Sequence, residues 1–196
     1  MATRVSAAVE LEGGKLFLSD LRGEFMGGRH RGELHADFTL QPPVYVGSGT
    51  FAGISMGQLA DAMRDGWIAG TASGSYHLSA SGVSASEFWH SGEGALQFDI
   101  RDGLLPHVSL GSGTGPLQLG RFLGRMRLHD GGIDINEGRL DSPGGAYQVS
   151  GTVSFDRELA IKFVHAGSPG YNITGTLEEP LVAPANAVET RAQLKP

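Results

Sequence analysis

The chain lacks cysteine, long hydrophobic runs and any excess of positive charge. The absence of cysteine among its 196 residues excludes a disulfide scaffold, a thiolate zinc site and a cysteine nucleophile. No run approaches the roughly 18 consecutive apolar residues that a membrane-spanning helix needs. The formal net charge is −6, from 15 basic and 21 acidic side chains. Because nucleic-acid binding depends on clustered lysine and arginine, we expect no nucleic acid among the partners.

Glycine, in contrast, is abundant. The chain contains 31 glycines, which is roughly twice the usual share. Glycine inside a helix is destabilising, so a mainly helical fold is not expected. Hydrophobic residues make up 40% of the chain, which is too many for a disordered segment. The composition therefore predicts one folded domain with little helix.

Apolar and polar residues alternate with a period of two in several segments. Between 32 and 40 the even positions include Leu34, Ala36, Phe38 and Leu40, and the odd positions are polar. Successive side chains of a strand face opposite sides, so this pattern predicts a strand with one apolar face. The same pattern recurs at 72–80, 96–100, 147–155, 159–163 and 171–177. Buried parallel strands are continuously apolar instead, so the alternation predicts an antiparallel sheet.

Turn signals separate these segments. They are Gly13-Gly14, Gly27-Gly28, Asp102-Gly103, Asp130-Gly131-Gly132 and Ser142-Pro143-Gly144-Gly145. Such pairs supply the positive φ angles of tight hairpins, which predicts a meander of about a dozen strands. Two capping boxes, Ser55 to Gln58 and Ser84 to Glu87, predict two helices of about two turns each. We expect these helices to pack against an end of the apolar face of the sheet.

The apolar faces of such a meander fall on one side of the sheet and must be hidden from water. A closed barrel, a sandwich or a curled half-pipe would each hide them. Small residues on these faces, such as Gly32, Ala72, Gly74 and Ala80, favour an open concave surface, although glycine also permits tight curvature. The residues expected to line that surface are Leu34, Ala36, Phe38, Leu40, Tyr76, Leu78, Leu96, Phe98, Ile100, Val149, Val153 and Phe155.

Motifs that resemble catalytic or metal-binding sites have simpler structural interpretations in this sequence. Gly53-Ile54-Ser55-Met56-Gly57 matches the nucleophile elbow of α/β-hydrolases, but that elbow requires a parallel α/β sheet. Ser55 already serves as a helix cap, so we interpret it as structural and predict no enzyme. His30 and His35 are five residues apart and face opposite sides of a strand. We interpret the seven histidines as isolated surface side chains and predict neither a metal nor a cofactor.

A local basic cluster is formed by Arg121, Arg125, Arg127 and His129. These residues alternate with apolar ones, which is typical of the solvated face of a strand. Attraction to anionic lipid head groups is the alternative interpretation.

A series of glycine-rich motifs follows in a defined order along about residues 5–182. The motifs are Phe51-Ala52-Gly53-Ile54-Ser55, Ile68-Ala69-Gly70-Thr71, Phe98-Asp99-Ile100-Arg101-Asp102-Gly103, Leu140-Asp141-Ser142-Pro143-Gly144-Gly145 and Gly151-Thr152-Val153-Ser154-Phe155. The last is Ile173-Thr174-Gly175-Thr176-Leu177-Glu178-Glu179-Pro180, and the ordered set with this ending is more specific than any single motif. This ordered set resembles the C-terminal region of the AsmA-like family of bacterial envelope proteins, which are related to bridge-like lipid transfer proteins.

The resemblance implies a function in the envelope of Gram-negative bacteria. Its curled sheet would form a groove for phospholipid acyl chains, serving phospholipid transport between the inner and outer membranes and outer-membrane assembly. It further implies a periplasmic location, with an inner-membrane anchor and membrane contact supplied by parts outside this chain. The rival hypothesis is a structural or adhesive β-domain with a core filled by side chains.

The resemblance, together with the loss of alternation from Ala183 onward, suggests domain boundaries and a mode of self-association. Residues 1–182 would form a single β-groove domain, corresponding to a C-terminal fragment of a longer protein. Residues 183–196 would form a loose tail with at most a short helix near 188–194. An unpaired strand edge at Val5–Leu11 would allow two copies to associate edge to edge.

Overall fold

The computed structural model describes residues 2–63, 66–111, 115–165 and 170–185. It contains twelve antiparallel strands in a single unclosed sheet and two short helices, which confirms the predicted all-β meander. The strands are β1 (Ala2–Glu12), β2 (Lys15–Phe25), β3 (Gly28–Asp37), β4 (Val44–Ser55), β5 (Ala69–Ser81), β6 (Glu93–Leu105), β7 (Leu117–His129), β8 (Gly132–Ser142), β9 (Gly145–Ser154), β10 (Glu158–His165), β11 (Tyr171–Thr176) and β12 (Pro180–Pro184). The helices are α1 (Met56–Met63) and α2 (Ala85–His90).

Tight turns explain why each strand pairs with its neighbours in sequence. Gly13 and Gly14 connect β1 to β2 at φ of 55° and 80°, values that glycine adopts without steric cost. Asp130 and Gly131 connect β7 to β8 in the same region of φ, at 48° and 72°. Asp102-Gly103 was predicted as a turn, and that prediction is wrong: both residues lie inside β6. Asp102 there has φ of 50°, and the pairing of β5 with β6 shifts register beside it.

The strand register places the apolar faces on one side of the sheet, which we call the concave face. Residues paired directly across antiparallel strands share a face, so a row of partners can be followed from strand to strand. The central row runs through Gly32, Gly49, Tyr76, Leu96, Met126, Ile135, Gly151, Ile161, Ile173 and Val182. The concave face is therefore continuous from β3 to β12.

The sheet curls so that elements distant in sequence meet across the concave face. The ring of Trp89 in α2 lies 6.4 Å from that of Phe155, which directly follows β9. Helix α2 stands at one end of the strands, between β5 and β6, and α1 stands at the opposite end, between β4 and β5. No helix in the described ranges has the length and hydrophobicity to cross a membrane.

Several glycines of the concave face mark close contacts between strands rather than open space. A Cβ atom at Gly74 would overlap the carbonyl oxygen of Gln97 and approach Phe51 Cζ to 2.7 Å. A Cβ at Gly151 would likewise overlap the carbonyl oxygen of Ala160. The expectation that small residues here leave room is therefore wrong at these glycines. They permit close strand approach and curvature instead.

The boundaries differ from expectation at two places. The alternation suggested a strand through Leu40, but β3 ends at Asp37, where the carboxylate accepts hydrogen bonds from the backbone N–H and hydroxyl of Thr39. This local turn competes with strand pairing and leaves Phe38 and Leu40 half exposed. At the other end, β12 reaches Pro184, two residues beyond 182. The expected helix near 188–194 lies outside the described residues.

The close approach at Gly74 generates a prediction about stability. Replacing Gly74 with alanine should lower the free energy of unfolding by about 1–3 kcal/mol, because the added methyl group must displace β6 or Phe51. Chemical denaturation monitored by circular dichroism measures this loss. Gly66→Ala is the matched control, since a Cβ at Gly66 meets no atom within 4 Å. An equal effect of the two substitutions would show that Gly74 is not needed for strand approach.

Candidate functional site

A cavity of about 1130 Å³ opens on the concave face. It is somewhat larger than the usual 300–1,000 Å³ of small-molecule sites. Its wall between the two ends is largely apolar, and strands from β1 to β12 contribute to it. The apolar wall includes Phe51, Ile54, Ala72, Leu96, Phe98, Ile100, Phe122, Met126, Ile133, Ile135, Val149, Val153, Leu159, Ile161, Phe163 and Ile173.

Seven of the twelve residues expected on the concave surface border this cavity. They are Tyr76, Leu96, Phe98, Ile100, Val149, Val153 and Phe155. Leu34, Ala36 and Leu78 share the concave face by register but do not border the cavity. Phe38 and Leu40 follow the end of β3 and also lie away from it.

Leu34 and Leu78 lie over glycines of adjacent strands. Leu34 Cδ1 is 3.5 Å from the position of a Cβ at Gly47, its cross-strand partner. Leu78 Cδ2 is 2.7 Å from the corresponding position at Gly94. Both side chains therefore cover neighbouring backbone instead of reaching the cavity. Ala36, which is 2% exposed, pairs with Tyr45 and is buried at the α2 end of the face.

Much of the wall was missed because the expected list stopped at four strands. The remaining strands place Phe51, Met126, Ile135, Ile161 and Ile173 on the same face. The sequence carried this signal for Ile135, because two-residue hairpins join β8 to β7 and to β9 and fix its register; Phe51, Met126, Ile161 and Ile173 are on strands that follow longer connections. Register shifts within β4 and β8 would have made such a projection wrong by one residue beyond each bulge.

Five aromatic rings form a chain across the α2 end. Phe38 contacts Tyr45, Tyr45 contacts Phe88, and Phe88 contacts Trp89, with centroid separations of 6.1, 5.6 and 5.6 Å. Trp89 then reaches Phe155. Trp89 is 56% exposed and also borders the cavity, so this aromatic chain forms a rim between the cavity and solvent.

The α1 end is covered more completely. Met56 and Leu59 of α1 border the cavity together with Trp67, Ile68 and Val108. Ile68 is 2% exposed and Val108 is 8% exposed, and the N–H of Leu117 donates to the carbonyl of Val108 at 2.8 Å. The cavity therefore ends in packed core on this side.

One polar pair interrupts the apolar wall near its middle. The Nε2 atom of His30 lies 2.7 Å from the hydroxyl oxygen of Tyr76, and their ring centroids are 5.7 Å apart. Burial raises the pKa of the Tyr76 phenol, so it stays protonated. The interpretation of His30 as an isolated surface side chain is wrong, because it is partly buried and borders the cavity.

The basic cluster lies on the convex face and is largely neutralised. Arg121 donates two hydrogen bonds to Asp99, at 2.9 and 2.8 Å, and with Arg101 it holds the pKa of that carboxyl well below its usual range. Arg125 lies 3.4 Å from Glu137. Because these carboxylates pair with the arginines, we interpret the basic cluster as a charge-paired strand face rather than as an anion-binding patch.

His129 of this cluster also has acidic partners and is not isolated. Its Nε2 atom lies 2.7 Å from Asp134, and its Nδ1 atom lies 3.2 Å from Asp130. The two carboxylates raise the pKa of His129, the bond to Asp134 having the larger effect. In the described part of the chain no group of three or more His, Asp and Glu side chains is arranged to hold a metal ion.

The two predicted capping serines both make capping contacts. The N–H of Gln58 donates to Ser55 Oγ at 3.3 Å, and the N–H of Glu87 donates to Ser84 Oγ at 3.2 Å. The Glu87 carboxylate accepts from the N–H of Val83 rather than from Ser84. Ser55 therefore ends a strand of an antiparallel sheet and caps a helix, which is not the setting of a nucleophile elbow.

Comparison of the chain with protein-family models, with curated proteins and with solved structures finds no match. The candidate site is therefore interpreted from its own geometry.

The contact of Ser55 predicts a structural role. Ser55→Ala should lower the free energy of unfolding by about 1 kcal/mol, because the N–H of Gln58 loses its acceptor. Thermal or chemical denaturation measures the change. Covalent labelling of Ser55 by a fluorophosphonate probe would contradict this interpretation and indicate a hydrolase.

Proposed function

We propose that this chain is a non-enzymatic lipid-binding segment whose concave cavity holds acyl chains. The supporting observation is the apolar cavity of about 1130 Å³ that the curled sheet and two helices leave unfilled. A structural or adhesive domain would fill this space with side chains, since protein interiors are normally packed to the density of organic crystals. The cavity therefore favours lipid binding over the filled-core alternative.

Hydrocarbon suits this wall energetically. An apolar cavity offers water few hydrogen-bond partners, so an apolar ligand has little competition there. Burial of an acyl chain contributes roughly 0.8 kcal/mol for each methylene group removed from water. The side chains around an unfilled cavity lack van der Waals contacts on one side, so filling the cavity with an acyl chain is strongly favourable.

The resemblance to AsmA-like proteins supplies the biological setting of the proposal. Under it, the chain would act in the periplasm, carrying phospholipid acyl chains between the inner and outer membranes during outer-membrane assembly. The inner-membrane anchor and membrane contact would come from parts outside this chain. The apolar wall is compatible with that setting and does not select one lipid.

The free edges of the sheet differ in their capacity for self-association. The N–H of Ala185 donates to the carbonyl of Gly170, and successive backbone nitrogens of a strand point in opposite directions. The nitrogens of Pro180, Val182 and Pro184 therefore point away from β11. Two of these three have no N–H, which blunts the β12 edge. Strand β1 contains no proline, and we propose that it pairs with β1 of a second copy.

A substitution on the cavity wall should distinguish the two faces of one strand. Leu96 borders the cavity, whereas the adjacent Gln97 lies on the convex face. Leu96→Asp should abolish copurification of phospholipid, because an unpaired charge on an apolar wall costs several kcal/mol. Native mass spectrometry of the purified protein measures bound lipid. Gln97→Asp is the matched control and should retain it.

Crosslinking tests the same face without a buried charge. A photo-crosslinking amino acid at position 96 should capture phospholipid in cells, and one at position 97 should not. Equal capture from the two positions would overturn the cavity as the lipid site. Absence of lipid from both, in a protein that is folded by circular dichroism, would favour the structural β-domain.

The proposed pairing at β1 predicts reversible dimers at high protein concentration. Val9 and Leu11 are 67% and 71% exposed, so replacing both with lysine should weaken association by charge repulsion without disturbing the core. Sedimentation velocity measures the dimer fraction. Leu181→Lys on β12, at 66% exposure, is the control and should leave it unchanged. A wild-type protein that is monomeric at every concentration contradicts the proposal.

A further inference from the structure

The hydrogen-bonded pair of His30 and Tyr76 places polar atoms in the middle of the apolar cavity wall. Both residues border the cavity, His30 from β3 and Tyr76 from β5. The neighbouring residues on the same face are apolar, among them Leu21, Phe25 and Phe51, whereas Arg22 and Glu24 of β2 face the convex side by register. The strands that follow β5 form an apolar wall midway between the α1 end and the α2 end of the cavity. This wall consists of Leu96, Phe98, Met126, Ile135, Val149, Ile161, Phe163 and Ile173. The His30–Tyr76 pair is therefore a local polar site in an otherwise largely apolar wall.

Glycines on β3 and β4 make room for this pair. A Cβ at Gly49 would lie 3.0 Å from His30 Nε2, and a Cβ at Gly32 would lie 3.2 Å from His30 Cε1. The imidazole therefore lies across two residues without side chains, on the path from β3 to the Tyr76 hydroxyl. A larger residue at either position would push the ring away from the phenol.

The pair has hydrogen-bonding capacity to spare. Neutral histidine carries one N–H and tyrosine one O–H, and the single bond between them uses one of these two hydrogens. If the phenol donates, the N–H on His30 Nδ1 remains. If Nε2 donates, the Tyr76 O–H remains. In each tautomer one donor is left for a ligand, and a donor in an apolar wall gains from an acceptor.

We propose that this pair hydrogen-bonds the acyl oxygen of a bound fatty acyl group, either a free carboxylate or an ester carbonyl. The hydrocarbon chain then lies against β6–β11, and the oxygen lies against β3 and β5. This assignment rests on the proposed function, because it presupposes that the cavity holds acyl chains. It adds that the site distinguishes acyl oxygen from plain hydrocarbon and that His30 and Tyr76 make the distinction.

Ligand binding by the full chain tests the assignment. The neutral dye Nile red reports occupation of the cavity, and its displacement gives affinities for palmitate, methyl palmitate and hexadecane. Either single substitution leaves one donor of the pair, so the double variant His30→Phe, Tyr76→Phe, which keeps a ring at each position and removes both donors, should weaken binding of acyl ligands about tenfold, the loss expected for one hydrogen bond. Hexadecane and Nile red should bind as before.

Tyr45→Phe is the matched control. Tyr45 is also on the concave face, where it contacts Phe38 and Phe88 and does not border the cavity. It should leave every affinity unchanged. The single variants His30→Phe and Tyr76→Phe each keep one donor, so they should lose less affinity for acyl ligands than the double variant does.

The outcomes separate this inference from the proposed function. Weaker binding of both palmitate and methyl palmitate identifies the acyl carbonyl as the group recognised, and weaker binding of palmitate alone identifies the free carboxylate. Unchanged acyl affinities in the double variant, with Nile red and hexadecane bound, would overturn the inference and leave the proposed function standing. Failure of the wild-type protein to bind any of the four would overturn both.

Discussion

The packing of bulky side chains over glycines of adjacent strands is the contact on which the rest of the structure depends. Leu34 covers Gly47, Leu78 covers Gly94, and Phe51 lies against Gly74. Each pair lets two strands approach more closely than two substituted residues would, which bends the sheet towards its apolar side. Because that bending turns a flat apolar face into an enclosure, the cavity is a product of glycine placement as much as of hydrophobicity.

The enclosure is asymmetric along the strands. At the α1 end, Ile68 and Val108 join a continuous core that includes the fully buried Leu140. At the α2 end, an aromatic rim containing Trp89 and Phe155 separates the cavity from solvent, and the residues there are only partly buried. Regions with fewer buried contacts open at lower free-energy cost. A ligand would therefore enter more readily past the rim than through the packed end.

The sequence was sufficient for the architecture because the two signals involved are local. Alternation identifies a strand and its apolar face, and a pair such as Asp130-Gly131 identifies a hairpin, so the meander follows without long-range information. The cavity lining depends on how side chains pack over glycines and on contacts between non-adjacent strands, which alternation does not reveal. Leu34 has the right periodicity but lies over Gly47, while His30 reaches Tyr76 across two glycines from a non-adjacent strand. The prediction that Phe38 and Leu40 line the concave surface was wrong for a local reason, because the turn at Asp37 ends the strand before them.

The strictly sequential strand order has a consequence for how the chain folds and comes apart. In the described structure every strand bonds only with the strands before and after it, so contacts form between segments close in sequence. Such topologies have low contact order and avoid the entropy cost of closing long loops early in folding. Stability is then distributed as in a linear array, with the terminal hairpins held from one side only. Amide exchange would accordingly be fastest at β1 and β12 and slowest in the middle strands, where both neighbours must detach first.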